Sequence, residues 1–380
     1  MGAETDFPAD NWLRATGMRT AAGVAAYCVQ NRTPAELRQF CSRGASVKVL
    51  AHQGWSNFTL LIENPRPSPK WLLRIKRKPT SNHAHLWSSY HKEEWCHRVA
   101  GKVIPVPAIP ANGVGYFSLN ILPNRAPIEF AYMVQEYIQA ESAQVLDPAT
   151  PAPEFLIQLG DISRRIHTIQ GSGFGADFDN HSGSFSGASL QQIFEQEISQ
   201  LEDTASYSLG SKRLAERALG SLQLIADLEC ESRLAHRDFL FNWGNVLLNP
   251  GGGIAAIIDW EFAYCGPAFY LETGAMLYAL LRDGFPTEER ERRLLWFLKG
   301  YGMSERVYRS QHATHVEAFL TWYALKAVHK CQAAMQQGTL KSEPWRRLFA
   351  ERSIRYLRAS HQQKHSKALV RPKVRQTKAA

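Results

Sequence analysis

Residues 234–267 read LAHRDFLFNWGNVLLNPGGGIAAIIDWEFAYCGP, and three oxygen-bearing side chains mark this stretch. Asp238 begins an irregular loop, Asn245 precedes the apolar run VLL, and Asp259 ends the apolar run IAAII. The turn NPGGG between the two runs predicts a β-hairpin, which would bring positions 245 and 259 close together. An amide oxygen beside a carboxylate suits Mg²⁺, and a further carboxylate on a loop suits a base that orients a hydroxyl group. The stretch therefore predicts phosphoryl transfer, which needs mainly positioning and charge neutralisation.

The rest of the chain predicts a small β-rich part followed by a larger helical part. Between residues 47 and 78, the short runs VKVLAHQ, NFTLLIEN and KWLLRIKRK predict three strands. A helix is expected within residues 85–103, and extended segments are expected at 103–109 and 131–138. After the proline-rich stretch DPATPAPEF at 147–155, helical patterns dominate outside the predicted hairpin.

These patterns predict an α+β chain of two lobes. Residues 1–138 form a small β-rich N-lobe, which holds a nucleotide-binding sheet and an N-terminal helical extension in which Thr33 and Pro34 predict a helix start. Residues 139–352 form a larger, mainly helical C-lobe with the catalytic and metal loops. Residues 353–380 are basic and poor in large apolar residues, so a disordered tail is predicted there.

Charge is distributed unevenly between these parts. Residues 1–138 carry 16 Lys and Arg against 9 Asp and Glu, whereas residues 139–352 carry 20 against 26. A basic first lobe favours an anionic ligand, and an acidic second lobe favours a cationic one; scattered surface charge would give the same totals.

Cysteine spacing and hydropathy bear on location. The six cysteines form no C-x-x-C pair, and no Cys/His spacing suggests zinc, so we expect reduced thiols in a cytoplasmic protein. No run of about 18 apolar residues is present that could span a membrane. We expect neither a membrane nor a nucleic acid as a partner.

The ordered motifs HRD, GNVLL and IIDWE resemble the aminoglycoside phosphotransferase/choline kinase family, whose fold is related to that of protein kinases. The resemblance implies a protein-kinase-like fold, ATP and Mg²⁺ as cofactors, Asp238 as catalytic base, and Asn245 and Asp259 as magnesium ligands. The family places its Asn five positions after the catalytic Asp, where this chain has Trp243. Asn242 and Asn245 are both displaced from that position, and Asn245 is preferred because it precedes the apolar strand.

Three other family motifs imply an ATP site in the first lobe. The run LLRI implies Arg74 as the cation for the phosphates, with Lys76 as second choice. Of Glu93 and Glu94 on the following helix, Glu93 is preferred as its acid partner because of its helical spacing to Cys96 and Ala100. The turn HQGWSNFTL matches a Gly-x-Ser-Asn loop over the phosphates, which implicates Ser56 and Asn57.

The run MVQEYIQ resembles the family hinge, in which the backbone groups of Glu136 and Ile138 would contact adenine. The family also has an acid shortly after the proline of CGP that braces the catalytic loop. Here the nearest acid, Glu272, is displaced by two positions. His167 is interpreted as a structural residue that holds the catalytic loop.

The resemblance and the acidic second lobe together predict an ATP-dependent kinase that acts on a small, cationic hydroxyl compound such as an aminoglycoside or another amino alcohol. The alternative is a kinase of a natural-product or metabolic intermediate, similar to choline or homoserine kinases, and resistance and biosynthesis are equally open. A protein kinase is disfavoured, because DWE replaces Asp-Phe-Gly and no Ala-Pro-Glu follows. The displaced Asn leaves a catalytically inactive nucleotide-binding relative as a further alternative.

Overall fold

The structure is a computed structural model of the 380-residue chain. It describes residues 21–31, 33–50, 57–76, 89–119, 128–147, 149–240, 242–338, 340 and 344–368.

The first lobe is built on a five-stranded antiparallel sheet with the order β1-β2-β3-β5-β4. Its strands are β1 Ser46–Val49, β2 Asn57–Glu63, β3 Trp71–Lys76, β4 Val114–Leu119 and β5 Ile128–Glu136. Alternate residues of β2, namely Phe58, Leu60 and Ile62, are buried against helix α1 (Ala21–Asn31), as expected for a strand with one face on a core. Helix α2 (Tyr90–Ala100) begins at Ser89, whose side chain accepts a hydrogen bond from the His91 N–H.

A second, three-stranded sheet contains the hairpin predicted from the sequence. Strand β10 (Val246–Leu248) lies between β6 (Glu141–Ser142) and β11 (Ile254–Ile257). Val246 pairs with Ile257, which sets the ends of the hairpin beside each other and places Asn245 and Asp259 at the same end. The Ile258 N–H donates to the Asn245 carbonyl at 3.0 Å and extends this pairing.

The second lobe is mainly helical. Its helices are α3 Pro153–Ile166, α4 Leu190–Leu209, α5 Lys212–Ala226, α6 Ala268–Arg282, α7 Thr287–Tyr301, α8 Ala313–Gln336 and α9 Trp345–Ala368. A four-stranded sheet of order β8-β7-β12-β9 lies among them, formed by β7 Phe174–Asp179, β8 Ser184–Gly187, β9 Arg233–Ala235 and β12 Tyr264–Gly266. A turn of helix at Glu305–Val307 and a π-helical segment at Tyr308–His312 lead into α8. A large buried core joins α3, α7 and the hairpin.

The predicted two-lobed α+β architecture is confirmed, with local corrections. Residues 105–110 form no strand, because prolines at 105, 107 and 110 cannot donate to a sheet. Thr33 does not cap a helix: its hydroxyl donates to the Val29 carbonyl at 2.7 Å, and only a 3-10 helix follows at Ala35–Phe40. The predicted start of the tail, residue 353, falls within α9. None of the helices described is sufficiently long and apolar to cross a bilayer.

Candidate active site

The loop after β9 is fixed by the fully buried His236. The Nε2 atom of His236 donates to the Ile258 carbonyl at 2.9 Å, and its Nδ1 atom accepts the N–H groups of Asp238 and Phe239 at 3.3 and 3.2 Å. This pattern requires a neutral ring, and burial accordingly lowers the pKa of His236. His236 therefore ties the loop that carries Asp238 to the strand that ends at Asp259.

Glu272 on α6 holds the same loop from the other side. Its fully buried carboxylate accepts the N–H groups of His236 and Arg237 at 2.8 and 3.2 Å. The hydroxyl of Ser163 donates to it at 2.8 Å, and His167 Nε2 lies 3.1 Å away. The acid that looked displaced in the sequence thus reaches the catalytic loop. His167 contacts Glu272, in keeping with the structural role predicted for it.

Asp238 and Asn245 contact each other directly. Asn245 is buried, and its Nδ2 atom donates to Asp238 Oδ2 at 2.6 Å. Asn242 is exposed, and its side chain accepts the N–H of Gly244 as the cap of a short 3-10 turn. Of the two candidate asparagines, Asn245 is the one whose side chain contacts Asp238, the predicted base, in the described part of the structure.

The surroundings of Asp238 raise its pKa to about 6. Burial contributes most to this rise, and the negative charge of Asp259 adds to it, while Arg237 and the Asn245 hydrogen bond oppose it. A carboxyl group with a pKa near 6 is ionised at neutral pH and still able to take a proton, which suits a general base.

Asp259 has an uncommon backbone conformation and pairs with a cation of the first lobe. Its φ is +65°, in the left-handed region that few non-glycine residues adopt. Arg74 on β3 donates to Asp259 at 2.8 Å and to Glu93 on α2 at 2.5 Å. Burial raises the pKa of Glu93, and the charge of Arg74 opposes that rise. One guanidinium thus connects β3, α2 and the end of the hairpin, as predicted for Arg74 and Glu93.

Lys76 forms a second link between the lobes. Its Nζ atom lies 3.3 Å from Glu261 and 4.7 Å from the centre of the Tyr90 ring. The Tyr90 hydroxyl donates to Asn57 at 2.8 Å, which places Asn57 beside the same cations. In the sequence, the position of Glu261 two residues after Asp259 is the only signal of its proximity to these cations.

Three carboxylates converge at this point: those of Glu93, Asp259 and Glu261 offer oxygen atoms within 4.8 Å of one another. Oxygen atoms at this spacing are the ligands that a hard divalent cation prefers. In the structure, Arg74 and Lys76 neutralise part of this charge.

The predicted hinge follows β5. The Glu136 N–H donates to the Ala108 carbonyl at 2.8 Å, and the Ile138 carbonyl accepts from the Ala140 N–H at 3.0 Å. Within the described ranges, no protein acceptor is recorded for the Ile138 N–H, so it is the hinge donor best suited to a ligand. Ser56, predicted to contact the phosphates, lies outside the described residues, as does Gly54 of the same loop.

Sequence reasoning missed Lys92. This fully buried lysine on α2 donates to the carbonyls of Ala176 and Ala263 at 3.2 and 3.3 Å, and thereby joins α2 to the second lobe. Burial lowers its pKa to about 8. Its neighbour Glu93 drew attention to this helix, but no sequence pattern marked the lysine itself.

Comparisons with known proteins agree with this geometry. The model of a family described as "Phosphotransferase enzyme family" matches residues 47–310. The chain is similar to a thermostable mutant of aminoglycoside phosphotransferase APH(4)-Ia, solved with AMP-PNP and hygromycin B, at 19% identity and a TM-score of 0.57 over 82% of this chain and 94% of that chain.

Two further solved structures share the fold. A microcompartment-associated aminopropanol kinase matches at 16% identity and a TM-score of 0.51, over 92% of this chain and 98% of that chain. An ethanolamine kinase of Plasmodium vivax matches at 12% identity and a TM-score of 0.50, over 84% of this chain and 85% of that chain. No curated protein matches the sequence. The predicted protein-kinase-like fold is confirmed by these likenesses.

Proposed function

The chain belongs to the phosphotransferase enzyme family and is a small-molecule kinase, and on this premise we propose that it transfers the γ-phosphate of ATP to a hydroxyl group, with Asp238 as the base. The observation that carries the proposal is the contact of Asp238 with Asn245, adjacent in the fold to the Arg74–Asp259 ion pair. Asp238 would accept a hydrogen bond from the acceptor hydroxyl and take its proton as the oxygen attacks phosphorus.

The donor set also fits Mg²⁺. Asn245 turns Nδ2 towards Asp238, which leaves Oδ1 as the amide atom able to face a cation. Asn245 and Asp259 would hold the metal, which when bound neutralises charge on the phosphate oxygens. Arg74 lies beside Asp259 and would contact the same phosphates, and Lys76 adds a second positive charge. Glu93 would keep Arg74 in place.

Nucleotide binding by the first lobe follows from the same layout. The backbone at Glu136 and Ile138 would contact adenine, and the turn that contains Ser56 and Asn57 would lie over the phosphates. Two solved relatives contain ADP or AMP-PNP, which supports ATP as the donor.

The acceptor is proposed to be a small hydroxyl compound. The acidic balance of residues 139–352 predicts a cationic one, such as an aminoglycoside or another amino alcohol, while a natural-product or metabolic intermediate is the alternative. Asp238 acts on the hydroxyl group alone, so the transfer chemistry is the same for either class.

Replacement of Asp238 by Ala tests the proposal. Loss of a general base should reduce turnover by about 10²–10⁴-fold, whereas ATP binding measured by calorimetry should persist. Asp227→Ala, which changes an exposed aspartate at the end of α5, is the matched control. Turnover is measured with labelled ATP, Mg²⁺ and a panel of hydroxyl compounds. Near wild-type turnover by Asp238→Ala would show that the base is assigned wrongly. Binding of ATP by the wild-type chain with neither transfer nor slow hydrolysis would favour an inactive nucleotide-binding relative.

A further inference from the structure

The residue before the proposed base is a cation, Arg237. Among the described residues, its guanidinium forms no ion pair with a carboxylate. Arg237 directly precedes Asp238 and has a φ of +73°, in the left-handed region. Its guanidinium lies 5.7 Å from the centre of the Trp322 ring and 6.0 Å from that of Tyr264. Aromatic contacts use the face of a guanidinium and leave its N–H edge for in-plane hydrogen bonds, the geometry that carboxylates and phosphates accept.

Helix α8 adds further positive charge on the same side. Trp322, Lys326 and Lys330 follow one another at intervals of four residues, so they lie along one face of the helix. Desolvation lowers the pKa of Lys330, and the positive charges of Arg237 and Lys326 lower it further. Because Trp322 lies beside Arg237 and Lys330 lies two turns further along the same helix face, Lys330 is on the side of α8 that faces Arg237.

The acid on the facing helix is already neutralised. Glu197 on α4 accepts two hydrogen bonds from Lys326 Nζ at 2.9 and 2.8 Å and one from Trp322 Nε1 at 3.1 Å. Among the described residues, this leaves Arg237 and Lys330 as cations on this side that form no ion pair with a carboxylate.

The acidic total of the second lobe arises elsewhere. On α4, Glu195, Glu202 and Asp203 are exposed and lie on the side of the helix opposite Glu197. Charges separated by more than about 8 Å in solvent are largely screened at physiological salt. The acids nearest Asp238 are already engaged, because Asp259 pairs with Arg74 and Glu272 accepts hydrogen bonds from the loop. The charges of Arg237 and Lys330 therefore remain to attract an acceptor.

We propose that the acceptor carries an anionic group, a carboxylate or a phosphate, close to the hydroxyl that Asp238 activates, and that Arg237 and Lys330 bind this group. This inference rests on the proposed function, because it assumes that the acceptor hydroxyl lies at Asp238. It replaces the cationic acceptor expected from the total charge with a hydroxy acid or a phosphorylated alcohol. Trp322 and Tyr264 hold Arg237 in position.

A panel of small alcohols of different charge tests the proposal. The anionic probes are 3-hydroxypropionate and glycerol 3-phosphate, which separate carboxylate from phosphate, and the cationic probes are choline and ethanolamine. Each is titrated into the full chain by calorimetry, and ADP release from MgATP is followed with each as acceptor. We expect at least one anionic probe to bind or react at least about tenfold better than either cationic probe, a difference that shrinks as salt is raised.

A charge-removal variant gives a second readout. Lys330→Gln should raise the KM for the preferred anionic acceptor about tenfold, the loss expected for one charge-assisted hydrogen bond. Lys299→Gln, which removes an exposed lysine of α7, is the matched control and should leave KM unchanged. Preference for the cationic probes, equal treatment of all four, or no binding of the anionic probes at about 10 mM overturns the proposal.

Failure of the proposed function would be visible separately. Mg-dependent ATP binding and the slow hydrolysis of ATP without an acceptor do not involve the charges on α8. If both are absent, the phosphotransferase assignment fails; if both are present and the anionic probes are rejected, only the acceptor inference fails.

Discussion

Replacement of Glu272 by Gln changes one atom of a fully buried side chain and tests how the catalytic loop is held. The carboxylate accepts two backbone N–H groups of the loop at 2.8 and 3.2 Å, the Ser163 hydroxyl at 2.8 Å, and lies 3.1 Å from His167 Nε2. Glutamine retains one acceptor oxygen and turns an NH₂ group towards donors. Because buried charge-assisted hydrogen bonds contribute about 1.5–3 kcal/mol each, we expect the free energy of unfolding to fall by about 3 kcal/mol.

Activity and pH add two readouts to this variant. The loop that carries Asp238 should shift, so kcat should fall at least about tenfold while ATP affinity is retained. Burial alone would raise the pKa of Glu272, but His167, Ser163 and the Arg237 N–H lower it below 4.5. A carboxylate with a lowered pKa stabilises the fold above its unfolded pKa and loses this effect as pH falls, so the stability gap between wild type and variant should close below about pH 4.5.

Urea unfolding at several pH values measures this difference in stability. The control is Glu288→Gln, at an exposed position on α7, whose free energy of unfolding should lie within about 0.5 kcal/mol of wild type. If Glu272→Gln unfolds at the same urea concentration as wild type and keeps its kcat, Glu272 does not hold the loop.

Three further substitutions test the rest of the site. Asn245→Ala should reduce turnover and Mg-dependent ATP binding at least about tenfold, whereas Asn242→Ala, at an exposed position, should change each less than about twofold. If Asn242→Ala has the larger effect, the metal ligand is Asn242. Arg74→Met leaves the buried Glu93 without its 2.5 Å partner, so urea unfolding should show a loss of about 3 kcal/mol and calorimetry a weaker affinity for ATP; unchanged values for both would refute the pairing. Burial lowers the pKa of Lys92 from 10.5 to about 8, so in this pH range the unfolded chain binds more protons than the folded protein. The free energy of unfolding should therefore rise with pH across the range, by up to about 3 kcal/mol relative to Lys92→Met. Parallel pH profiles for the two proteins would contradict this.

Local sequence patterns were sufficient for the elements that frame the site. The strands β2 and β3 are short runs rich in apolar residues between clear turns, and NPGGG between two apolar runs predicts the hairpin of β10 and β11. The residues Asp238, Asn245 and Asp259 could be selected because each stands at the end of such a pattern. The positions of Asn245 and Asp259 relative to each other follow from the register of the hairpin, whereas Asp238 lies on the loop after β9.

Contacts between distant parts of the chain could not be predicted in this way. Strands β9 and β12 are three residues each, and Ala235 pairs with Tyr264. No short-range sequence pattern predicts this pairing. Arg74 and Asp259 are 185 residues apart, and neither the sequence patterns nor the family resemblance predicted their ion pair. Glu272 looked displaced because spacing along the sequence does not give the position of a side chain on the face of a helix.

Charge totals were the least informative part of the sequence. The acidic balance of residues 139–352 includes exposed residues such as Glu195 and Asp203. These lie on the side of α4 opposite Glu197. Arg237 lies near Trp322 only because α8 packs beside the loop that carries Asp238, and Lys330 shares the Trp322 face of α8. The net charge of a lobe therefore describes solubility and long-range attraction, whereas acceptor recognition depends on the charged side chains next to the acceptor.

The ion pairs of Arg74 and Lys76 have a consequence for how the cleft assembles. Three acidic groups within 4.8 Å would repel one another if each stood alone, yet the chain brings its own guanidinium and ammonium to them. Within the cleft, two cations of the chain therefore offset part of the charge of the three carboxylates. On the proposed function, a metal–nucleotide would exchange counterions on binding, with Arg74 passing from a carboxylate to a phosphate.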